Sequence, residues 1–260
     1  RLPYQLVSRR HRSTDTVVRV ASIEIGGDAG LVAADLGAIR DPDVALGLAR
    51  TAHASGAAML VCGVADSATQ RELGRLGKDA LLVAEEIGKS VGLPVVMEVE
   101  HASDVERVAE RADMIRIDAV HMENEVLLRQ VALVGRPVLL ERGQMASIDE
   151  WLGAAEFILE RGNHDVVLCA RGIRTFEQAT PLTMDLGGLL VVRSRSHLPV
   201  LAAPCGALGN GRWAGSLALG ARQMGASGAI LRLTPGSEER ESVTPGELRD
   251  LAASFQPESA

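Results

Sequence analysis

The chain has 260 residues, a length that suits one large domain. Its 27 basic and 34 acidic residues give a formal charge of −7, which argues against nucleic acid as a partner. No apolar run approaches the roughly 18 residues that a membrane span needs, and no signal peptide is recognisable. We therefore expect neither a membrane protein nor a secreted one.

Composition also constrains the core and the compartment. Hydrophobic residues make up 47% of the chain but aromatic residues only 2%, so the core must consist of Val, Leu, Ile and Ala. The three cysteines, Cys62, Cys169 and Cys205, are scattered and form no CxxC pair. This pattern is typical of reduced thiols and predicts a cytoplasmic protein.

The first 29 residues differ from the rest. Residues 16–20 and 22–25 alternate apolar and polar side chains around Ala21 and end at Gly26 and Gly27. Alternation that stops at glycines predicts a small β-hairpin. From residue 30 onward, short apolar runs alternate with amphipathic stretches, among them residues 78–91, 102–111, 123–134, 147–161 and 213–224.

Eight apolar runs lack strict alternation, as strands covered on both faces do. They lie at residues 31–34, 58–62, 94–99, 114–117, 137–140, 165–169, 199–202 and 229–233. Strand and helix in strict alternation predict parallel βαβ units, and eight units in this length close into an α/β protein of the (β/α)8 TIM barrel type. We assign residues 1–29 to an N-terminal segment whose hairpin caps the bottom of the barrel. The barrel covers residues 30–256, with a loop at 236–244, and residues 257–260 form a tail.

Chemistry in such barrels lies at the C-terminal ends of the strands. That rule selects Glu98, Glu141 and Asp118 as candidate catalytic residues, and it also selects candidate substrate-binding residues, namely Arg171, Arg142, Arg232, Asn124 and Cys205. A charge at a strand end is often only solvated or paired across the rim. Glu98, Glu141 and Arg171 lie within or against apolar runs, so we expect them to be buried and paired, which suits a structural role as well as a catalytic one.

The thiols and imidazoles give a weaker signal. Cys62 and Cys205 lie near strand ends, but no histidine stands beside either, so a Cys–His nucleophile has little support. The six histidines show no metal-ligand spacing. The residues predict no metal site and no cofactor.

One segment carries a family resemblance. LCARGIRTFEQAT at residues 168–180 resembles the LCERGIRTFE signature of the 3-deoxy-heptulosonate 7-phosphate (DAHP) synthases with a short, bacterial-type barrel. The stretch at residues 3–20 resembles the family's lead-in and bottom hairpin. Further blocks agree in the same order: ADMIRIDAVHMEN (112–124) resembles ADIIQIGARNMQN, RPVLLERG (136–143) resembles KPVLLKRG, AAEFILERGN (154–163) resembles AAEYILSGGN, and HLPVLAAPCGALG (197–209) resembles HLPVIVDPSHAAG. The resemblance covers nearly the whole chain, although the family's separate N-terminal regulatory domain has no counterpart in it.

The resemblance implies condensation of phosphoenolpyruvate with erythrose 4-phosphate at a divalent metal held by Cys, His, Glu and Asp. The sequence departs at those positions. Leu36 stands at the cysteine, Gly206 at the histidine and Arg232 at the glutamate, and SVTPGE replaces the SDG block that holds the aspartate. Leucine and glycine side chains offer no donor, and Arg232 would repel a cation.

The positions that clamp anions in the family have changed too. Glu141 replaces the lysine of KRG, which turns an attraction for phosphoenolpyruvate into a repulsion. Arg171 is retained. The KPRTSPYSFQG block is unrecognisable around residues 62–70, and the other replaced positions are Val120, Ala170, Pro181 and Ala203. Since the family's reaction needs electrostatic stabilisation of developing charge, we expect no DAHP synthesis.

Three functions remain open. The first, which the new charges favour, is an enzyme repurposed for metal-independent chemistry on a small anionic, shikimate-pathway-like metabolite, such as isomerisation or elimination. The second is a non-catalytic pseudoenzyme that acts as a regulatory or scaffold partner of a true synthase or a chorismate mutase. The third, an active DAHP synthase, is the least expected. A homo-oligomer, dimer or tetramer, is expected in each case.

Overall fold

The computed structural model describes residues 4–63, 79–234 and 241–256. A two-stranded antiparallel hairpin, β1 (Val18–Val20) and β2 (Ile23–Ile25), precedes a closed barrel of eight parallel strands. Each barrel strand pairs with the next along the chain, and the last pairs with the first. The strands are β3 (Leu31–Ala38), β4 (Met59–Gly63), β5 (Val95–Glu98), β6 (Met114–Ile117), β7 (Val138–Glu141), β8 (Val166–Ala170), β9 (Val200–Ala202) and β10 (Gly228–Arg232).

Helices of the described chain lie between the strands and after the last strand. They are α1 (Pro42–Ala54), α2 (Ala80–Val91), α3 (Val105–Ala109), α4 (Glu125–Leu133), α5 (Ile148–Leu159), α6 (Leu186–Arg195), α7 (Cys205–Leu208), α8 (Ala214–Gln223) and α9 (Pro245–Phe255). The predicted (β/α)8 barrel is thereby confirmed. Across the described ranges, no helix is long and apolar enough to cross a membrane.

Local sequence sets the ends of these helices. Asp41 caps α1 by accepting the backbone N–H groups of Asp43 and Val44, and Pro42 supplies a preset φ at the first helical position. The helix predicted at residues 102–111 is shorter than expected, because Ala102–Asp104 forms a 3-10 turn before α3 begins. Residues 236–240 of the predicted loop, 64–70 of the altered block and the tail at 257–260 lie outside the described residues.

The bottom of the barrel is closed by apolar packing, as predicted for the hairpin. Val18, Val20 and Ile25 are fully buried and belong to one cluster with side chains from the interior of all eight strands. Gly26 has a φ of +116°, and a Cβ there would clash with the carbonyl oxygen of Thr16. The glycine therefore lets the chain leave the hairpin and enter the barrel.

The retained AAEFILERGN segment has a structural task. Its Glu156 is buried in α5, and the carboxylate accepts the backbone N–H groups of Gln5, Leu6 and Val7 at 2.8, 2.7 and 2.9 Å. A buried carboxylate with three N–H donors is well satisfied. This contact ties the N-terminal segment to the helical layer of the barrel.

Candidate active site

The mouth of the barrel carries a layer of charged side chains. Side chains on a strand alternate between its two faces, so the residue two places beyond each interior apolar residue points into the barrel again. At the C-terminal ends of the strands, the inward-facing residues are acids and arginines. The inward-facing residues nearer the bottom of the barrel are apolar. The layer contains Asp35 (β3), Glu98 (β5), Arg116 (β6), Glu141 (β7), Arg171 (beyond β8) and Arg232 (β10).

Arg116 lies at the centre of this layer. Its Nε is 2.8 Å from Oε1 of Glu141, its Nη2 is 3.3 Å from Oδ2 of Asp118, and its Nη1 is 3.5 Å from Oε2 of Glu98. The Nε–Glu141 contact is an ion pair without an aligned hydrogen bond, since no acceptor lies in the direction of that N–H. The Arg116 side chain is only 7% exposed. One buried guanidinium thus faces three carboxylates.

Arg171, which follows the neighbouring strand β8, contacts two of these three carboxylates. Its Nη1 donates to Oδ2 of Asp118 at 3.0 Å and to Oε2 of Glu141 at 3.3 Å. Glu141 is 2% exposed, so both of its oxygens are committed to protein partners, one of which is the backbone N–H of Ala119 at 3.4 Å. The predicted burial and pairing of Glu141 are observed, whereas Arg171 is paired as predicted but its side chain is 29% exposed.

A second pair lies across the mouth. Nη1 of Arg232 is 3.7 Å from Oδ1 of Asp35, and that oxygen also accepts the backbone N–H of Gly37 at 2.8 Å. The pairing of β3 with β4 shifts register between Asp35 and Gly37, and Gly37 has a φ of +68°. A Cβ at Gly37 would clash with Nη1 of Arg232. Glycine is needed here for its conformation and for the close approach of the guanidinium.

Burial and charge alter the proton affinities in the mouth. Burial raises the pKa of Glu98 to about 7, and the carboxylates of Asp118 and Glu141 add to the rise, while Arg116 opposes it. Burial would lower the pKa of Arg116, but Glu141 and Glu98 together with Asp35 and Asp118 raise it above its ordinary value. Glu98 therefore takes up a proton near neutral pH.

Cys205 lines the mouth, whereas Cys62 packs in the cluster between the barrel and its helices. Both are poor nucleophiles. Burial raises the pKa of Cys205 to about 11 and that of Cys62 to about 12. The Cys205 Sγ accepts the backbone N–H of Arg232 at 3.3 Å. A thiol with a raised pKa carries little of the thiolate that nucleophilic catalysis needs.

Two predicted site residues lie away from this cluster. Arg142 is buried, pairs through Nη1 with Oδ2 of Asp185 at 2.8 Å, and donates from Nε to the carbonyl oxygen of Ala146 at 2.9 Å. Asn124 caps α4 by accepting the backbone N–H of Leu127 at 3.2 Å. Both contacts are structural, and neither residue is brought to the charged layer.

Arg116 is not among the residues predicted from the sequence, although it lies at the centre of the charged layer. The available signal was its place in the run MIRI, two residues after the interior Met114. Alternation alone turns the side chain at residue 116 into the barrel. An arginine facing inward in a buried strand requires acidic partners, and the ends of the adjacent strands supply them.

Little open space remains among these side chains. A cavity of about 20 Å³ lies between the two ion-pair groups, enough for one water molecule. It is lined by Asp35, Val61, Arg116, Glu141, Arg171, Ala203, Cys205, Gly206, Ile230, Arg232 and Glu241. Glu98 is not among the residues that line this cavity.

A closed (β/α)8 barrel with charged groups at the carboxyl ends of its strands has the form of a barrel enzyme. Residues 12–211 match the DAHP synthetase I family. The chain is 34% identical, over 238 residues, to the phospho-2-dehydro-3-deoxyheptonate aldolase of Thermotoga maritima, covering 91% of this chain and 70% of that protein. The chain therefore belongs to the DAHP synthetase I family.

Two solved structures and a further relative are also similar to this chain. A crystal structure of the DAHP synthase from Thermotoga maritima matches with a TM-score of 0.89 at 33% identity, covering 96% of this chain and 75% of that one. A truncated form of the 3-deoxy-D-arabino-heptulosonate 7-phosphate synthase of the same organism gives 0.88 at 31% identity, covering 97% and 95%. A 2-dehydro-3-deoxyphosphooctonate aldolase of Magnetococcus marinus is 27% identical over 179 residues, covering 65% of this chain and 61% of that protein.

The described residues do not fit the divalent metal that the family resemblance implies. Leu36 is buried and aliphatic, Gly206 has no side chain, and Arg232 places a guanidinium beside Asp35. Within residues 4–63, 79–234 and 241–256, no three His, Cys, Asp or Glu side chains are grouped so that they could hold a metal ion. A divalent metal ion needs the oxygen, nitrogen or sulfur donor atoms that these side chains supply.

Proposed function

We propose that this DAHP synthase-like barrel does not perform the metal-dependent condensation and acts as a non-catalytic cytoplasmic protein that binds another protein. One observation carries the proposal: the arginines of the mouth are paired with the chain's own carboxylates. Arg116 and Arg171 contact Glu141 and Asp118, and Arg232 contacts Asp35. These carboxylates already pair with the arginines that an anionic substrate would need to contact.

Space and charge both support this proposal. Sites for small molecules usually enclose about 300–1,000 Å³, whereas the described residues of the mouth enclose a cavity of about 20 Å³. A phosphorylated substrate would have to displace Glu141, which is 2% exposed and lies against two arginines. Displacing one member of a buried ion pair costs several kcal/mol, about 3–5 by analogy with measured deletions.

An assay of the purified chain tests the loss of condensation. Phosphoenolpyruvate, erythrose 4-phosphate and Mn²⁺ would be supplied, with a DAHP synthase of the family as the positive control. We expect no product above the no-enzyme background. Turnover comparable to that of the control would refute the proposal.

The rim around the mouth offers a surface for a protein partner. Phe176, Met145 and Val120 are 96%, 83% and 76% exposed and lie in the loops that follow β8, β7 and β6. The loops after β7 and β8 touch, since the backbone N–H of Arg174 donates to the carbonyl oxygen of Gln144 at 2.7 Å. The loops after β6 and β7 touch where the backbone N–H of Gly143 donates to Sδ of Met122 at 3.1 Å. Large exposed apolar side chains in one neighbourhood favour protein contacts.

A binding experiment tests this surface. We expect the chain to co-elute with a true DAHP synthase or a chorismate mutase from the same source in size-exclusion chromatography. Phe176→Ser with Met145→Ser should abolish co-elution. Leu133→Ser is the control, since Leu133 is 65% exposed at the end of α4 and outside the rim. Equal binding by both variants, or no binding to either partner, would count against this role.

A second candidate is metal-independent proton transfer on a small anionic metabolite. It is favoured by Glu98, which holds a proton near neutral pH, and by Arg171 and Arg232, whose side chains are 29% and 28% exposed. Calorimetric titration with phosphoenolpyruvate, shikimate and inorganic phosphate tests it. Binding that Arg171→Met abolishes would favour the enzyme over the non-catalytic barrel.

A further inference from the structure

The outer side of α4 exposes two large apolar side chains. Val126 and Leu133 are each 65% exposed, and their spacing of two helical turns places both on the same side of the helix. Gln130 lies between them on that side. The side of a helix that faces water is normally polar, so a pair of exposed apolar residues there favours a contact with another protein surface.

Helix α5 extends this surface. The two helices pack side by side, and the guanidinium of Arg129 in α4 lies 5.9 Å from the ring centre of Phe157 in α5. The outward side of α5 carries Gly153, Ala154 and Phe157, which are partly buried and uncharged. A Cβ at Gly153 would meet nothing within 4 Å, so the surface is open at that point. We call the outward sides of α4 and α5 together the α4–α5 face.

Charge is distributed unevenly along the α4–α5 face. Both helices begin at the mouth, where the preceding strands end, and run toward the bottom of the barrel. Arg129 lies farther along α4, and Arg161 follows α5 at the bottom, with the exposed Glu160 beside it at 3.8 Å. The face is therefore acidic at its mouth end and more basic toward the bottom. The exposed acids of the mouth end are Glu123, Glu125 and Glu150.

We propose that the α4–α5 face binds the same face of a second copy of this chain, with the helices of the two copies antiparallel. A two-fold axis across the middle of the face places the acidic end of each copy against the more basic end of the other. A parallel arrangement would instead place acids against acids. The antiparallel arrangement also brings the N-terminus of each α4 near the C-terminus of the other, which the helix dipoles favour.

This arrangement pairs particular side chains. Val126 of one copy lies opposite Leu133 of the other, and Phe157 lies opposite the small residues Gly153 and Ala154. Facing a large side chain with small ones lets the two surfaces approach closely. Two short helices form a smaller contact than permanent dimers use, so we expect a reversible dimer with a dissociation constant on the order of micromolar.

Sedimentation equilibrium of the whole chain tests the proposal. Val126→Glu with Leu133→Glu should raise the dimer dissociation constant by about tenfold or more, because four carboxylates would enter the contact. Val44→Glu with Leu82→Glu is the matched control, since these side chains are 44% and 40% exposed on α1 and α2. The control should dimerise as the parent does, and circular dichroism checks that both variants are folded.

Cysteine cross-linking tests the antiparallel arrangement. Cys62, Cys169 and Cys205 are buried, so mild oxidation acts on cysteines introduced at the surface. A mixture of Val126→Cys and Leu133→Cys should form a disulfide-linked dimer, whereas either variant alone should not, because a disulfide needs its two Cα atoms within about 7 Å. Cross-linking of Val126→Cys with itself would show a parallel contact and overturn the proposal.

Two further outcomes would overturn it. One is a parent chain that stays monomeric at about 100 μM, well above the expected dissociation constant. The other is a dimer that Val126→Glu with Leu133→Glu leaves unchanged. The inference is independent of the proposed partner binding at the rim. Phe176→Ser with Met145→Ser should leave the dimer intact, whereas Leu133→Ser should weaken the dimer and leave partner binding at the rim unchanged.

Discussion

The two ends of the barrel interior are built from the same eight strands by the same alternation of side chains, yet they are filled in opposite ways. At the bottom, Val18, Val20 and Ile25 of the hairpin pack against apolar side chains. At the mouth, arginines and carboxylates pair with one another. Apolar packing depends on volume, whereas each charge of the mouth depends on a particular partner. Substitutions at the two ends should therefore respond differently to pH.

The largest effect is expected at the mouth. Glu141→Leu removes the most buried acid of the cluster and leaves Arg116 and Arg171 short of a partner. We expect the free energy of unfolding at about pH 7.5, measured in urea, to fall by about 3–5 kcal/mol. Glu160→Leu is the control, since Glu160 is 58% exposed and should change stability little. Equal losses in the free energy of unfolding for both variants would mean that the ion pairs of Glu141 contribute nothing to stability.

A smaller loss is expected at the bottom. Ile25→Ala deletes a fully buried side chain of the hairpin and should lower the free energy of unfolding by about 3 kcal/mol. Because no charge is involved, the loss should be the same at about pH 5 and pH 8. Val17→Ala, at a side chain that is 44% exposed, should cost much less. A loss of stability in Ile25→Ala that depends on pH would contradict this difference between the two ends of the barrel.

The smallest effect has the opposite sign. The folded-state pKa of Glu98 is raised to about 7 from 4.5, so the parent gains stability as pH falls from about 7 to about 4.5. Glu98→Gln removes this titration and should be more stable than the parent at about pH 8, by on the order of 2 kcal/mol. The difference should vanish below about pH 4.5. Denaturant midpoints across this pH range measure it, and a Glu98→Gln protein less stable than the parent at about pH 8 would contradict the sign.

Much of the fold was predictable because barrel strands are buried on both faces. The run at residues 114–117 was predicted with the bounds that the structure shows, and the other strands shifted by a few residues. Segment 102–111 was less predictable, because a 3-10 turn and a short α-helix leave nearly the same apolar pattern as one helix.

The site was predictable only in part. Position along a strand brought Glu98, Glu141 and Arg171 to the mouth, but Arg142 follows Glu141 directly and so points to the opposite face of β7, toward Asp185. Whether new charges face a ligand or one another depends on side-chain conformation across several strands. In the sequence, the replacement of charges by other charges favours an enzyme, whereas the pairing around Arg116 in the structure favours a closed mouth.

The pairing of β10 with β3 has a consequence for how the chain is made. The hairpin at residues 18–25 lies near the start of the sequence, but its apolar cluster includes Leu201 and Ile230. A ribosome must therefore release almost the whole chain before that cluster is complete, and until then the hairpin's valines and isoleucine are exposed to water. Contacts so distant in sequence fold slowly and leave early intermediates prone to association. Newly made chains should depend on chaperones more than the finished barrel does.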